Sequence, residues 1–347
     1  MNNAQAPKIK KDSKNKIRVE FDGRTPLLER LRAKFLNMYT VKRVVWYLFR
    51  FLLLVGVSYI ILFPFFSKIS SSFMSETDFV DVTVRLIPKS PTLQTYEAII
   101  TENGYFKAFG NTLVLSLVCA VLQTFICCFI GYGFAKFKFK GSGALFLLVI
   151  FTMIVPHSTL KLSMFLHFKD FDILGVLGIF NKLGLLERPG IPLLDTNWPL
   201  WIMSATGLAY KNGLFIFLMR QFYRGIPDEL EESAYLDGSG VFKTFFTIII
   251  PLSVTMIVTV FMFAFCWQWT DTFYSGLFYT QTGPLLLNRI IKVPDSLAEL
   301  TEASSTALFG AAVKNTCGIL IIIPLVIMYL FGQKYIVQGI ERSGITG

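Results

Sequence analysis

An all-α, polytopic membrane protein with six transmembrane helices is the fold class this sequence predicts. Three observations predict it. Of 347 residues, 53% are hydrophobic and only 16% charged, with a mean hydropathy of +0.56, far too apolar for an ordinary soluble domain. Six stretches, at about 44–66, 109–135, 143–166, 197–221, 243–269 and 308–331, reach the roughly 20 apolar residues needed to cross a hydrocarbon core. The alternation of apolar and polar residues that marks a β-barrel is absent, so each span must satisfy its backbone hydrogen bonds internally, as a helix.

The elements follow in order. Residues 1–24 are polar, rich in Lys and poor in apolar side chains, the composition of a disordered tail. Thr25 and Pro26 open an expected helix with Leu27, Leu28, Leu31 and Phe35 on one face and Arg30, Arg32 and Lys34 elsewhere. That pattern suits a helix lying in the inner membrane interface; a docking surface for a partner subunit is the alternative. Together, residues 1–43 form a basic tail with an interfacial helix. The span 44–66 is expected to stay as an anchor, since it is too long for a cleaved signal and Ser67-Lys68-Ile69 offers no small-residue cleavage site. Residues 67–106, with Pro88, Pro91 and Thr92-Leu93-Gln94-Thr95-Tyr96, are too polar to span and form an external loop. Residues 107–340 then make a five-helix core with a loop at 222–251, followed by a C-terminal tail at 341–347. A second long external loop, 167–196, carries Gly175, Gly178, Gly184, Gly190 and Pro192. Cys119, Cys127, Cys128, Cys266 and Cys317 all fall inside spans, where thiols act as small hydrophobes rather than as disulfides or ligands.

Lys and Arg orient this arrangement. Twelve lie in residues 1–43, and Lys136, Lys138, Lys140, Arg220, Arg224, Lys243, Lys334 and Arg342 fall on the same side, against nine in the three opposite segments. The excess of positive charge marks the cytoplasmic face. Both termini and the 222–251 loop are therefore expected in the cytoplasm of a cell-membrane protein. The net charge of +10 then reflects anionic lipid at the inner leaflet, and no nucleic-acid partner is needed to explain it.

The 222–251 loop carries the most specific signal. Pro227 suits a first helical position, and Asp228, Glu229, Glu231 and Glu232 set negative charge near the positive end of the helix dipole. Gly238 suits the left-handed residue that ends a helix, after which Phe242, Phe245, Phe246 and Ile249 recur at helical spacing. The reading is a helix from Pro227, a tight corner, and a second short helix returning to the membrane. Leu230, Ala234 and Tyr235 fall on or near one face of this knob, suited to a groove on a soluble partner. An amphipathic surface loop is the plainer alternative.

Glu232-Ser233-Ala234-Tyr235-Leu236-Asp237-Gly238, with Ile248-Ile249-Ile250-Pro251 after nine intervening residues, resembles the E-A-A-x-x-x-G-x9-I-x-L-P loop of permease subunits in bacterial binding-protein-dependent ABC importers. The similarity extends further. Gly131-Tyr132-Gly133-Phe134-Ala135-Lys136, Arg220-Gln221-Phe222-Tyr223, Trp269-Thr270-Asp271 and Gln333-Lys334-Tyr335-Ile336-Val337-Gln338-Gly339 look like stretches of the smaller permease of maltose and multiple-sugar systems. Ser233, Thr270 and the long 167–196 loop depart from the pattern. The resemblance implies a type I ABC importer permease fold and a role as half of the translocation pathway of an ATP-driven sugar importer, with an oligosaccharide as cargo. It also implies the partners: a second, different permease subunit, two cytoplasmic ATPase subunits and an extracytoplasmic sugar-binding protein. Glu231, Glu232, Ser233, Ala234, Asp237, Gly238 and Pro251 are the residues it assigns to ATPase coupling. Permeases for peptides, amino acids or phosphate are rivals within the superfamily, and an ion-coupled secondary transporter is a rival from another class.

No catalytic site is expected. The chain has no Gly-Lys dipeptide, hence no phosphate-binding loop, and neither G-x-S-x-G nor H-E-x-x-H. His157 and His167, the two histidines, lack the neighbours of a zinc site, so neither metal nor cofactor is expected. Polar residues inside spans mark candidate path positions. Lys211 falls near the middle of the fourth stretch, where an unanswered lysine costs about 2.5 to 3.5 kcal/mol. In one reading Tyr210, Lys211 and Asn212, with Asp271, line a sugar-sized cavity. In the other, Lys211 pairs with Asp271 or a carbonyl and holds helices together.

Overall fold

The computed structural model describes residues 8–11, 17–20, 38–173, 175–184, 187–280, 282–298 and 307–344. The chain divides into two compact units, Met1–Ser67 and Lys68–Gly347. In the first, the tail expected to be disordered pairs β1 (Lys8–Lys11) with β2 (Ile17–Glu20) in an antiparallel hairpin, Ile9 opposite Val19. Alternation of Ile17 and Val19 with Arg18 and Glu20 supplies the period of two that a strand needs. The interfacial helix expected at Thr25–Phe35 lies outside the described residues. Helix α1 (Met38–Ser71) contains the first expected span.

The second unit is helical: α2 (Glu76–Val80), α3 (Gln94–Glu102), α4 (Tyr105–Lys136), α5 (Ser142–Ile154), α6 (Lys161–Lys169), α7 (Val176–Lys182), α8 (Trp198–Ala205), α9 (Asn212–Arg224), α10 (Glu229–Leu236), α11 (Val241–Thr244), α12 (Ile250–Leu252), α13 (Val254–Trp269), α14 (Phe273–Phe278) and α15 (Ala307–Gly344). Three of the six expected stretches are broken or bent rather than continuous helices. Among the described residues three helices are long and apolar enough to cross a membrane, at Val41–Ser71, Tyr105–Lys136 and Leu308–Gly339. Two bent pairs, Ser142–Ile154 with His157–Lys169 at 93° and Val241–Leu252 with Val254–Trp269 at 80°, raise the number to five if each pair is one span.

Each departure has a local cause. Pro156 lacks an N–H and pushes Val155 into the extended region (ψ 120°), which ends α5. The 197–221 stretch divides into α8 and α9 because Gly207 and Lys211 both turn left-handed, at φ 79° and 71°. The 243–269 stretch runs through a π-helical turn, Phe245–Ile249, just before Pro251, and bends at Ser253, whose hydroxyl bonds back to Ile249 O at 2.6 Å.

Helix α4 is the core of this unit, packing on α8, α9 and α13, while α13 packs on α15 and α9 on α5. The close approaches are made by small residues, as in other membrane bundles. A Cβ on Gly131 would stand 2.7 Å from Met219 Cβ, so α4 and α9 meet there almost backbone to backbone. On α15, Gly332 leaves room for the Met262 thioether and Gly339 for the Thr259 side chain of α13. Trp269 Nε1 donates to Ile321 O at 3.0 Å and Thr259 Oγ1 to Tyr335 O at 3.2 Å, so the tryptophan and the C-terminal Gln333–Gly339 stretch act as packing contacts between these helices.

Candidate functional site

Two regions of the second unit bring together residues singled out in the sequence. The first is α10 and its corner. The helix opens at Glu229 rather than Pro227, with Asp228 before it, and carries Glu229, Glu231 and Glu232 in its first turn. It closes in a complete Schellman motif: Ser239 N donates to Ala234 O at 2.9 Å and Gly238 N to Tyr235 O at 3.0 Å, with Gly238 at φ 79°. The expected left-handed turn is present, and a Cβ on Gly238 would meet nothing within 4 Å of this chain.

Burial divides α10 into two faces, and not where the spacing had placed them. Glu231 and Ala234 are buried, whereas Leu230, Glu232, Ser233, Tyr235, Leu236, Asp237 and Gly238 are exposed. Ala234 therefore belongs to the inward face, and the outward face is led by Leu236, which is 89% exposed. Glu231 also points inward. Its Oε2 accepts a hydrogen bond from the Tyr132 hydroxyl at 3.0 Å, and Lys136 Nζ lies 3.2 Å from Oε1 as a charge contact without hydrogen-bond geometry. Both charged side chains are nearly sealed from solvent, Lys136 at 6% and Glu231 at 7% exposure.

Lys136 also donates to Ile226 O and to Asp228 Oδ1, both at 2.6 Å. Its hydrogen bond and charge hold the exposed Asp228 carboxyl below the usual carboxylate range. Arg220 Nε donates to Phe134 O at 3.3 Å and its guanidinium carbon sits 3.9 Å from the Phe146 ring centroid. The Tyr132 ring packs at a tilt against Phe245 of the π-helical turn, centroids 4.8 Å apart, and edge-on against Tyr223 of α9 at 5.7 Å. The basic end of α4 is thus a socket: Gly131 lets α9 approach, while Tyr132 and Lys136 hold α10. Sequence reasoning missed the Lys136–Glu231 pair because nothing in the spacing of residues so far apart announces it. Pro251 lies in α12, at the bend that returns the chain to α13.

The second region is a cavity of about 1,100 Å³ where the broken helices meet. Tyr210, Lys211 and Asp271 line it, together with His157, Trp267 and Tyr274. Asn212 does not: it is fully buried in the first turn of α9, and neither side-chain amide atom has a hydrogen-bond partner among the described residues. Nor is Lys211 at a helix centre. It precedes α9 in a left-handed conformation that costs a residue with a Cβ roughly 1 to 2 kcal/mol.

Lys211 Nζ stands 4.4 Å from the Tyr210 ring centroid and 5.3 Å from that of Trp267. It makes no ion pair with Asp271. That carboxylate instead accepts the amides of Tyr274 at 3.1 Å and Ser275 at 2.7 Å, tying down the start of α14. His157 Nδ1 and the Tyr274 hydroxyl are 2.6 Å apart, and the His157 ring packs edge-on against Tyr210. His157 was legible only as half of an unsuitable metal pair. Its position after Pro156 is the signal that places it on the cavity wall.

Comparison with known proteins agrees with this architecture. The family model for the inner membrane component of binding-protein-dependent transport systems matches residues 124–342. The chain is 26% identical over 317 residues to the inner membrane ABC transporter permease protein YcjP of Escherichia coli K12, covering 90% of this chain and 99% of that one. It is 27% identical over 300 residues to the arabinooligosaccharides transport system permease AraQ of Bacillus subtilis, covering 84% and 92% of the two chains. For the galactooligosaccharides transport system permease GanQ of the same organism, identity is 26% over 324 residues, covering 88% and 98%. Among solved structures, a bacterial ABC transporter involved in import of the acidic polysaccharide alginate shares the fold at a TM-score of 0.66 and 19% identity, over 86% of this chain and 99% of that one.

Proposed function

The chain belongs to the family of inner membrane components of binding-protein-dependent transport systems, and we propose that it is one permease subunit of an ATP-driven saccharide importer, moved through α10 by cytoplasmic ATPase subunits. The observation that supports this most is the division of α10 into two faces. Its inner face is fixed to α4 by Glu231, Tyr132 and Lys136, and its outer face leaves Glu232, Ser233, Leu236 and Asp237 free for a partner. A short helix held in this way would pass a push on to α4 through the buried ion pair, and to the turn before α13 through the Tyr132–Phe245 ring contact. Saccharide cargo is favoured by the arabinooligosaccharide and galactooligosaccharide systems to which AraQ and GanQ belong.

On this reading the subunit works beside a second permease, two ATPase copies and an external binding protein, with both termini and α10 in the cytoplasm. Expressed with those partners, it should co-purify with the second permease and the ATPase pair, and vesicles containing all of them should take up labelled oligosaccharide on addition of ATP. Vesicles holding this chain alone should take up none. Equal uptake by the chain alone would overturn the proposal.

A further inference from the structure

Lys211 lies half-buried on the wall of the cavity lined by both bent helix pairs. Lys211 has no carboxylate within ion-pair distance among the described residues, and two aromatic faces, at 4.4 and 5.3 Å, stabilise its charge while leaving its three N–H donors unused. Asp271, the one acidic residue on the cavity wall among the described residues, is already committed to the amides of Tyr274 and Ser275. His157 is held by the Tyr274 hydroxyl. Lys211 also keeps a left-handed backbone, φ 71°, between two glycines, Gly207 and Gly213, either of which is a residue type better suited to it. A strained residue retained in a cavity points to use by a ligand.

From these observations we infer that the cavity receives an oxyanion of the transported molecule, with Lys211 as its binding residue and Tyr210 and Trp267 as the walls that flank the sugar ring. The substrate class is then an acidic saccharide, bearing a carboxylate or a sulfate or phosphate ester. This inference rests on the saccharide-uptake reading above and narrows it.

The test uses the complete complex in vesicles with its own binding protein and ATPase subunits. Uptake is compared for galacturonate and glucuronate oligomers, for their neutral methyl esters, and for sulfated, phosphorylated and unmodified neutral oligomers. Wild type should favour an acidic oligomer over its neutral counterpart, and the arm with the larger preference identifies the oxyanion. Lys211→Met should lower that acidic-to-neutral ratio at least about tenfold, the loss of one charged hydrogen bond, whereas Lys211→Arg should keep it within about threefold. Wild type that carries neutral oligomers, with a ratio unmoved by Lys211→Met, would overturn the inference and leave the proposed function standing. Wild type that carries no saccharide at all would remove the proposed function and the inference with it.

Discussion

Lys136→Met is expected to release α10 from the end of α4 and uncouple the transporter. The substitution leaves Glu231 buried at 7% side-chain exposure with its charge unanswered, and removing one partner of a buried pair typically costs about 3 to 5 kcal/mol. The hydrogen bond from Tyr132 offsets only part of that. By contrast, the Lys136–Asp228 contact adds little, since Asp228 is 79% exposed and water screens it. Transport should fall more than tenfold while the long helices still insert. Combining Lys136→Met with Glu231→Leu removes both charges and should restore more transport than Lys136→Met alone retains, because no charge is then left buried without a partner. Paired measurements of membrane insertion, ATPase pull-down and labelled-oligosaccharide uptake decide the matter. If the double variant is no better than the single one, the ion pair does not hold α10 in place.

Gly238→Val is expected to break the link between ATP hydrolysis and uptake. Within this chain the cost is conformational only, about 1 to 2 kcal/mol for a Cβ in the left-handed region, because nothing stands within 4 Å of the added atom. Gly238→Ala carries nearly the same backbone cost with far less bulk. If a partner surface closes over the corner, Val should therefore lower uptake several-fold more than Ala, with the ATPase subunits either lost or turning over idly. Equal effects of Ala and Val would reduce Gly238 to a helix terminator.

Much of this was legible in the sequence, and the rest was lost for identifiable reasons. The α10 corner was readable because its determinants are local: acidic residues in the first turn, and Gly238 where the Schellman motif needs a left-handed residue. The long helices α4 and α15 were readable because hydropathy alone decides them. Averaging over about 20 residues hid the breaks at Pro156, at Gly207–Lys211 and at Ser253, although each carries its own Pro, Gly or Ser signal. The same averaging put Lys211 at a helix centre and Asn212 beside the cavity, when one precedes the helix and the other is sealed inside it. The inward turn of Glu231 and Ala234 was beyond local reading, because tertiary contacts with α4 select which face of so short a helix is buried.

Site-directed cross-linking decides whether the outward face of α10 meets the ATPase subunits. Leu236→Cys places a thiol on the most exposed side chain of the helix, at 89% exposure, and Ala234→Cys places one on its buried face. The five native cysteines are free, four of them buried and Cys266 half-buried, so the new thiol at 236 is the most exposed. In the assembled complex, Leu236→Cys should cross-link to an ATPase subunit through a short bis-maleimide and Ala234→Cys should not. Cross-linking of neither position, in any nucleotide state, while the complex still transports, would show that this face does not meet the ATPase subunits.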